Sequence, residues 1–261
     1  MIPRYMVRDW IRFAPDGQIF ATWGMGSRVR VWEAKTGARM YELQHGERCH
    51  DVKFSPRGDL IATMSMDATV GIWNVTTGEA LQKLQHPDWV FTGEFSRDGR
   101  KLLTACRDRM ARLWDWEQGK LICPAMEHAD EVFGVAFADG ERVILTGSRD
   151  RKVQLWDSHI GKLVARPLIQ PGMVYQISVT PDEKHAVAAG YLKSLAVIGL
   201  QDVSEPVAEQ IDVDGLRMFG EIVSGQRVHE GGGVVNLTTQ EWLERWNSFH
   251  AAHPHYEQFF R

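Results

Sequence analysis

Three of the ten histidines, His45, His86 and His128, follow one another at intervals of 41 and 42 residues, and each is followed 22 residues later by an aspartate: Asp67, Asp108 and Asp150. Imidazole and carboxylate are the groups of general acid–base relays and of metal sites, and either use requires several of them to converge. An even period does the opposite. It places one His and one Asp in each of three equivalent units, so these pairs read as part of the architecture rather than as a catalytic or metal set. A second cluster, His250, His253 and His255, has near-ligand spacing but follows a polar stretch and is read as no metal site. Cys49, Cys106 and Cys123 are odd in number, scattered and without metal spacing, and are expected to be buried thiols of a reducing compartment. GxGxxG is absent, as are the HRD, DFG and VAIK-type motifs of kinases, and Gly231–Gly233 reads as a turn. Once the repeated His and Asp are assigned to the fold, no nucleophile, base and orienting group remain together. A non-enzyme without a cofactor is expected.

The elements that position these residues are legible from the tryptophans. Trp32, Trp73, Trp114 and Trp156 are 41, 41 and 42 residues apart and close the segments VRVWEAKTG, VGIWNVTTG, ARLWDWEQG and VQLWDSHIG. Phe13, Phe54, Phe95, Phe137 and Val179 recur with the same period in segments such as VKFSPRGD and GEFSRDGR, where alternating apolar residues run into a Pro/Asp/Gly turn. A second strand follows in LIATMSMD, KLLTACRD and VILTGSRD, a third ends at the tryptophan, and an outer strand such as ALQKLQH lies beyond the Thr-Gly turn. Four strands per period of this length mark the blade of a β-propeller, which cannot bury its own apolar faces and must stack on neighbours.

With the Trp, the His 28 residues before it and the Asp six residues before it, the chain resembles the WD40 repeat proteins. The resemblance implies a hydrogen-bonded network in each blade from Trp to turn. It joins His45, Ser65, Asp67 and Trp73 in one repeat, His86, Asp108 and Trp114 in the next, and His128, Ser148, Asp150 and Trp156 in the third. Cys106 replaces the Ser of the middle repeat, so that network is expected to be weaker. The outer repeats depart from the pattern: Arg4 and Gly26 stand at the His and Asp positions of the first, and Gln170, Leu192 and Ile198 replace His, Asp and Trp in the fifth. The expected fold is all-β, with about five four-stranded antiparallel blades over residues 3–210.

Residues 211–261 are expected to be a helical extension. Asp214 can cap a short helix with Leu216, Phe219 and Val223 on one face, and Thr238 with Glu241 makes a capping box before an aromatic stripe of Trp242, Trp246 and Phe249. That stripe reads as docking on the last blade or as a free recognition helix. Propellers of this family usually have seven blades, so five either close unusually or leave an incomplete ring. An open ring exposes a strand edge and an apolar blade face, so the sequence is expected to be the C-terminal part of a longer propeller, or to be completed by self-association or a second chain. The tail GEIVSGQRVHEGGGVVNLTTQEWLERWNSF is also similar to the end of bacterial proteins in which WD40 repeats follow a serine/threonine kinase domain. That likeness implies a sensing or docking portion without the catalyst.

The function expected from the family is a cytoplasmic protein-interaction scaffold that binds a protein or peptide through one narrow face of the propeller. The family's contact positions, carried over by offset from the His, fall on Arg48, Trp89 and Glu131. A second set falls on His50, Phe91, Phe133 and Tyr175, and a third, just before each Asp, on Met66, Arg107 and Arg149. Phe91, Phe133 and Tyr175 are in phase with core positions and read equally as buried; Trp89 is out of that phase. Arg107, Arg109 and Arg112, with Arg149, Arg151 and Lys152, read as a solvated rim or as one patch for an acidic or phosphorylated partner. A net charge of −4 and a pI near 6.2 give no overall attraction to nucleic acid or acidic membranes, and no apolar run reaches the roughly 18 residues of a membrane span.

Overall fold

The computed structural model describes residues 10–191 and 195–200, with 208–211, 226–228, 234–236 and Glu244 beyond them. Blade one is β1 (Trp10–Phe13), β2 (Ile19–Trp23), β3 (Arg28–Glu33) and β4 (Arg39–Gln44). Blade two is β5 (Cys49–Phe54), β6 (Leu60–Ser65), β7 (Thr69–Asn74) and β8 (Ala80–Gln85). In blade three, β9 (Val90–Phe95), β10 (Lys101–Cys106) and β11 (Met110–Asp115) are followed by an outer strand in two pieces, β12 (Lys120–Leu121) and β13 (Met126–Glu127), both paired with β11. Pro124, which has no N–H for the ladder, lies in the interruption. Blade four is β14 (Val132–Ala138), β15 (Val143–Ser148), β16 (Lys152–Asp157) and β17 (Leu168–Ile169); blade five is β18 (Val174–Val179), β19 (His185–Gly190), β20 (Leu195–Gly199) and β21 (Ala208–Ile211). Every pairing is antiparallel between strands consecutive in the chain, save that β13 also pairs with β11. The five sheets are meanders.

Meanders of this kind stack face to face. The first strand of each blade packs on the first strand of the next, in the order β1, β5, β9, β14, β18, so these strands are innermost. Each blade then has a leading face toward its predecessor and a trailing face toward its successor. Ala21, Val29 and Val31 on the trailing face of blade one meet Val52 and Ile61 of blade two, and the pattern repeats with Ala62, Met64, Val70 and Ile72 against Phe95, Leu102 and Trp114. Leu103, Ala111 and Leu113 meet Val135, Ile144 and Trp156, and Leu145, Val153 and Leu155 meet Ile177, Ala186 and Ile198. Small and branched side chains on trailing faces thus receive bulkier ones from leading faces in the first three contacts, the interdigitation that gives native packing density. Among the described residues no comparably extensive contact joins β18 to β1.

The turn after each tryptophan shows why Gly recurs there. Gly78 has φ +71° and its N–H bonds the Asn74 carbonyl at 2.8 Å, and a Cβ on it would lie 2.9 Å from the Tyr41 ring of the preceding blade. Glycine is required for both conformation and space.

The expected helical extension is corrected in its described part. Residues 226–228 and 234–236 form an antiparallel hairpin, β22 (Gln226–Val228) with β23 (Val234–Asn236), in register Val228 with Val234. Valines on either side of a Gly run favour a hairpin over a helix. The helices expected over 214–225 and 238–249 lie outside the described residues, Glu244 excepted.

Candidate functional site

The repeated His, Asp and Trp assemble within blades two and four around a hydroxyl that the motif reading missed. In blade four, Trp156 Nε1–H donates to Thr146 Oγ1 at 2.7 Å, Thr146 Oγ1 lies 2.6 Å from His128 Nε2, and His128 Nδ1 lies 3.0 Å from Asp150 Oδ2. Burial, opposed by Asp150, lowers the pKa of His128, so the ring is neutral at pH 7. A carboxylate can only accept, which places the one ring proton on Nδ1 and makes Nε2 the acceptor of the Thr146 hydroxyl proton. The proton order is therefore Trp to Thr, Thr to His, His to Asp. Blade two repeats it through Trp73, Thr63, His45 and Asp67, at 2.8, 2.6 and 3.2 Å. Burial alone would raise the Asp67 carboxyl, but bonds from Thr69 and the Gly46 N–H outweigh it and hold the pKa at about 2.

Ser65 and Ser148, expected as the fourth member of the network in their blades, bond the turn and not the Trp. Each accepts the N–H of the following Asp, at 3.1 and 3.0 Å, and donates to a backbone carbonyl of the loop that enters the blade. They fix the turn; Thr63, Thr104 and Thr146 carry the relay. The signal was present, since a Thr stands four residues before each Asp.

Blade three departs from the pattern through Arg112 rather than through Cys106, whose thiol still reaches the Asp88 carbonyl at 3.2 Å. Arg112 forks onto Asp108 at 3.1 and 2.5 Å, and the buried Nδ1 of His86 has no hydrogen-bond partner. Burial and then the Arg112 charge push His86 down to about 4. Gly71 and Gln154 occupy the corresponding positions of blades two and four, where the His–Asp bond is intact. Arg112→Gln is therefore expected to free Asp108 for His86 and to raise the His86 pKa, read from the pH titration of its ring resonances by NMR. An unmoved pKa would show that Arg112 does not hold the carboxylate away.

One rim carries the residues expected to meet a partner, and the structure brings them into contact across blades. The Arg107 guanidinium lies 4.3 Å over the Trp89 ring and bonds Glu131 at 3.1 Å, and Arg149 of the next blade reaches the same carboxylate at 3.5 Å. Arg48 lies 5.3 Å over Trp10, and the Arg48 carbonyl accepts the Met66 N–H. Inward of these, His50, Phe91, Phe133 and Tyr175 step from blade two to blade five with ring centroids 5.2, 4.8 and 5.0 Å apart. His50 is lowered by burial and by Arg48 and so joins this arc as a neutral ring. None of the three carbocyclic rings is buried: Phe91 and Phe133 are half-buried, and Tyr175 is 46% exposed. A β-bulge in each of β5, β14 and β18, and the shift between Ala105 and Cys106 opposite β9, turn these side chains out of core phase. The arginines do not form one open patch. Arg112 is engaged by Asp108, and Arg107 and Arg149 by Glu131; Arg109 and Arg151 are exposed turn residues with φ +73° and +66°.

The family model described as WD domain, G-beta repeat matches residues 37–74, 78–115 and 120–157. These three segments are WD40 repeats. Each matched WD40 segment begins near the outer strand of one blade and ends on the third strand of the next, so sequence repeat and blade are offset by one strand. That offset couples neighbouring blades, because one repeat cannot fold without contributing to two sheets. It also explains why His45, which follows β4, bonds Thr63 in blade two. No curated protein matches the chain.

Proposed function

We propose that this protein is a non-catalytic interaction scaffold that captures a protein or peptide through the rim carrying Trp89, Arg107 and the arc from His50 to Tyr175. The observation that carries this reading is the arc itself: aromatic rings contributed by four successive blades, accessible to solvent and held by a rigid sheet scaffold. Rigid aromatic side chains with an arginine neighbour are the groups that most often supply binding energy at interfaces. Arg107 and Arg149 already share Glu131, so the partner's anchor is an apolar or aromatic side chain rather than a phosphate or an acidic run. Three unpaired, buried cysteines support a reducing, cytoplasmic setting. The tail's likeness to kinase-linked WD40 proteins supports a second reading, a docking part acting with a serine/threonine kinase, which recovery of a kinase with the captured partner tests.

The test is affinity capture with mass spectrometry, followed by calorimetry with the recovered partner. Trp89→Ala is expected to weaken binding by about thirtyfold, roughly the 2 kcal/mol of a hot-spot side chain. Its melting temperature should stay within about 2 °C of the parent, as for a surface substitution. Affinity should change little with salt. A steep fall in affinity with salt would identify a charge-driven partner and refute the apolar anchor, and a large loss of stability would place Trp89 in the core.

A further inference from the structure

Four leading faces are covered by a preceding blade; among the described residues, no strand covers that of blade one. Ile11 is 57% exposed, whereas its positional counterparts Val52, Val135 and Ile177 are 0%, 6% and 6% exposed; Phe13 is 53% exposed, whereas Phe95 is buried and Phe54, Phe137 and Val179 are half-buried at its position. That face is nevertheless built as an interface. Phe13 packs on Phe20 at 5.3 Å, Phe20 stacks on Trp32 at 6.1 Å with the planes 9° apart, and Trp32 Nε1–H bonds Thr22 Oγ1 at 2.9 Å. That is the Thr–Trp bond which in blades two to four lies beneath the covering sheet. An ordered aromatic face of this extent on a folded protein marks a contact surface.

The trailing face of blade five has the opposite character. Val187, Ala189, Leu195 and Val197 line it and are each half-buried, while their counterparts in blade four, Leu145, Gly147, Val153 and Leu155, are buried. These are the aliphatic side chains that every other trailing face presents to a leading face. We propose that the leading face of blade one docks the trailing face of blade five from a second copy of this chain. The contact would be a fifth instance of the pairing seen four times within the molecule, now between chains. The two surfaces differ, so it is heterologous: each copy offers one of each, and assembly either closes into a ring or continues head to tail. Back-to-back pairing of two leading faces would set aromatic clusters against each other, an arrangement no pair of blades in the chain uses.

Light scattering coupled to size exclusion, on the full chain over a broad concentration series, should give a mass of two or more copies. Phe13→Arg should raise the dissociation constant by about thirtyfold, the loss of one buried aromatic anchor, with circular dichroism unchanged because Phe13 supports no other blade. Ile11→Glu, at the same surface, guards against misfolding of the first variant. Leu195→Arg should dissociate the assembly from the other side. Mixing Phe13→Arg with Leu195→Arg should restore one intact contact and stop at a heterodimer. A parent chain that stays monomeric at every concentration would overturn the proposal. So would an assembly that survives both leading-face variants, or variants that fail to complement on mixing.

Discussion

Thr146→Val is expected to lower stability by about 2–5 kcal/mol, the sum for two buried polar groups left without partners, and the melting temperature by roughly 5–15 °C. The substitution keeps volume and shape, so packing is not the cause. It removes the one oxygen that accepts from Trp156 and donates to His128, and both partners are shielded from solvent, with Thr146 fully buried and His128 and Trp156 nearly so. Thr22→Val in blade one is the internal control. There Trp32 is half-buried on an open face and its N–H can turn to solvent, so the same chemical change should cost under about 1 kcal/mol. Urea unfolding of the two variants decides the matter. Equal losses at both sites would mean that threonine contributes by backbone preference and that the relay contributes nothing.

The contrast between those two threonines also shows what the sequence could and could not reveal. The period of Trp32, Trp73, Trp114 and Trp156 specified the blades because each large ring holds the same place on the leading face of its sheet, a constraint that one substitution per repeat cannot hide. Blade five, which lacks that Trp, still followed from strand alternation and its terminal turn. Thr63, Thr104 and Thr146 escaped notice because a buried threonine in a strand looks like any β-branched residue until the direction of its hydroxyl is known. The rerouting in blade three escaped for a related reason. Arg112 lies on the same strand as Trp114, and only the fold shows that its guanidinium reaches Asp108 before His86 can. For Phe91, Phe133 and Tyr175, alternation alone pointed to the core, and the bulges that rotate them outward leave no mark in residue type. The leading face of blade one was partly legible: the count of five blades raised an incomplete ring, but the exposure of Phe13 beside an ordered Trp32 belongs to the structure.

The same inner strands yield the prediction with the clearest pH signature. Glu94 lies on β9 between blades three and four, where burial raises its carboxyl to about 7 against the opposing attraction of Lys53. Glu141, itself 3.4 Å from Lys101, adds repulsion, and the Phe137 N–H favours the charged form. A carboxyl raised above its unfolded value of 4.5 stabilises the fold fully below that pH, and the contribution disappears as pH rises through about 7. A shift of this size is worth at most about 3 kcal/mol. His86 acts in the opposite sense. Its lowered value favours the fold above its ordinary 6.5 and withdraws that support as pH falls toward about 4. The two slopes overlap between about 4.5 and 6.5 and offset each other in the parent chain. Glu94→Gln should remove one of them. The variant is expected to be more stable than the parent at pH 8 by up to about 3 kcal/mol, about equal to it below pH 4.5, and more steeply destabilised than the parent as pH falls from 6.5 to 5. Urea midpoints for the two chains at pH 5, 6.5 and 8 test this directly. Parallel profiles would show that Glu94 ionises as an ordinary solvated carboxylate, with the inner strands open to water at that position.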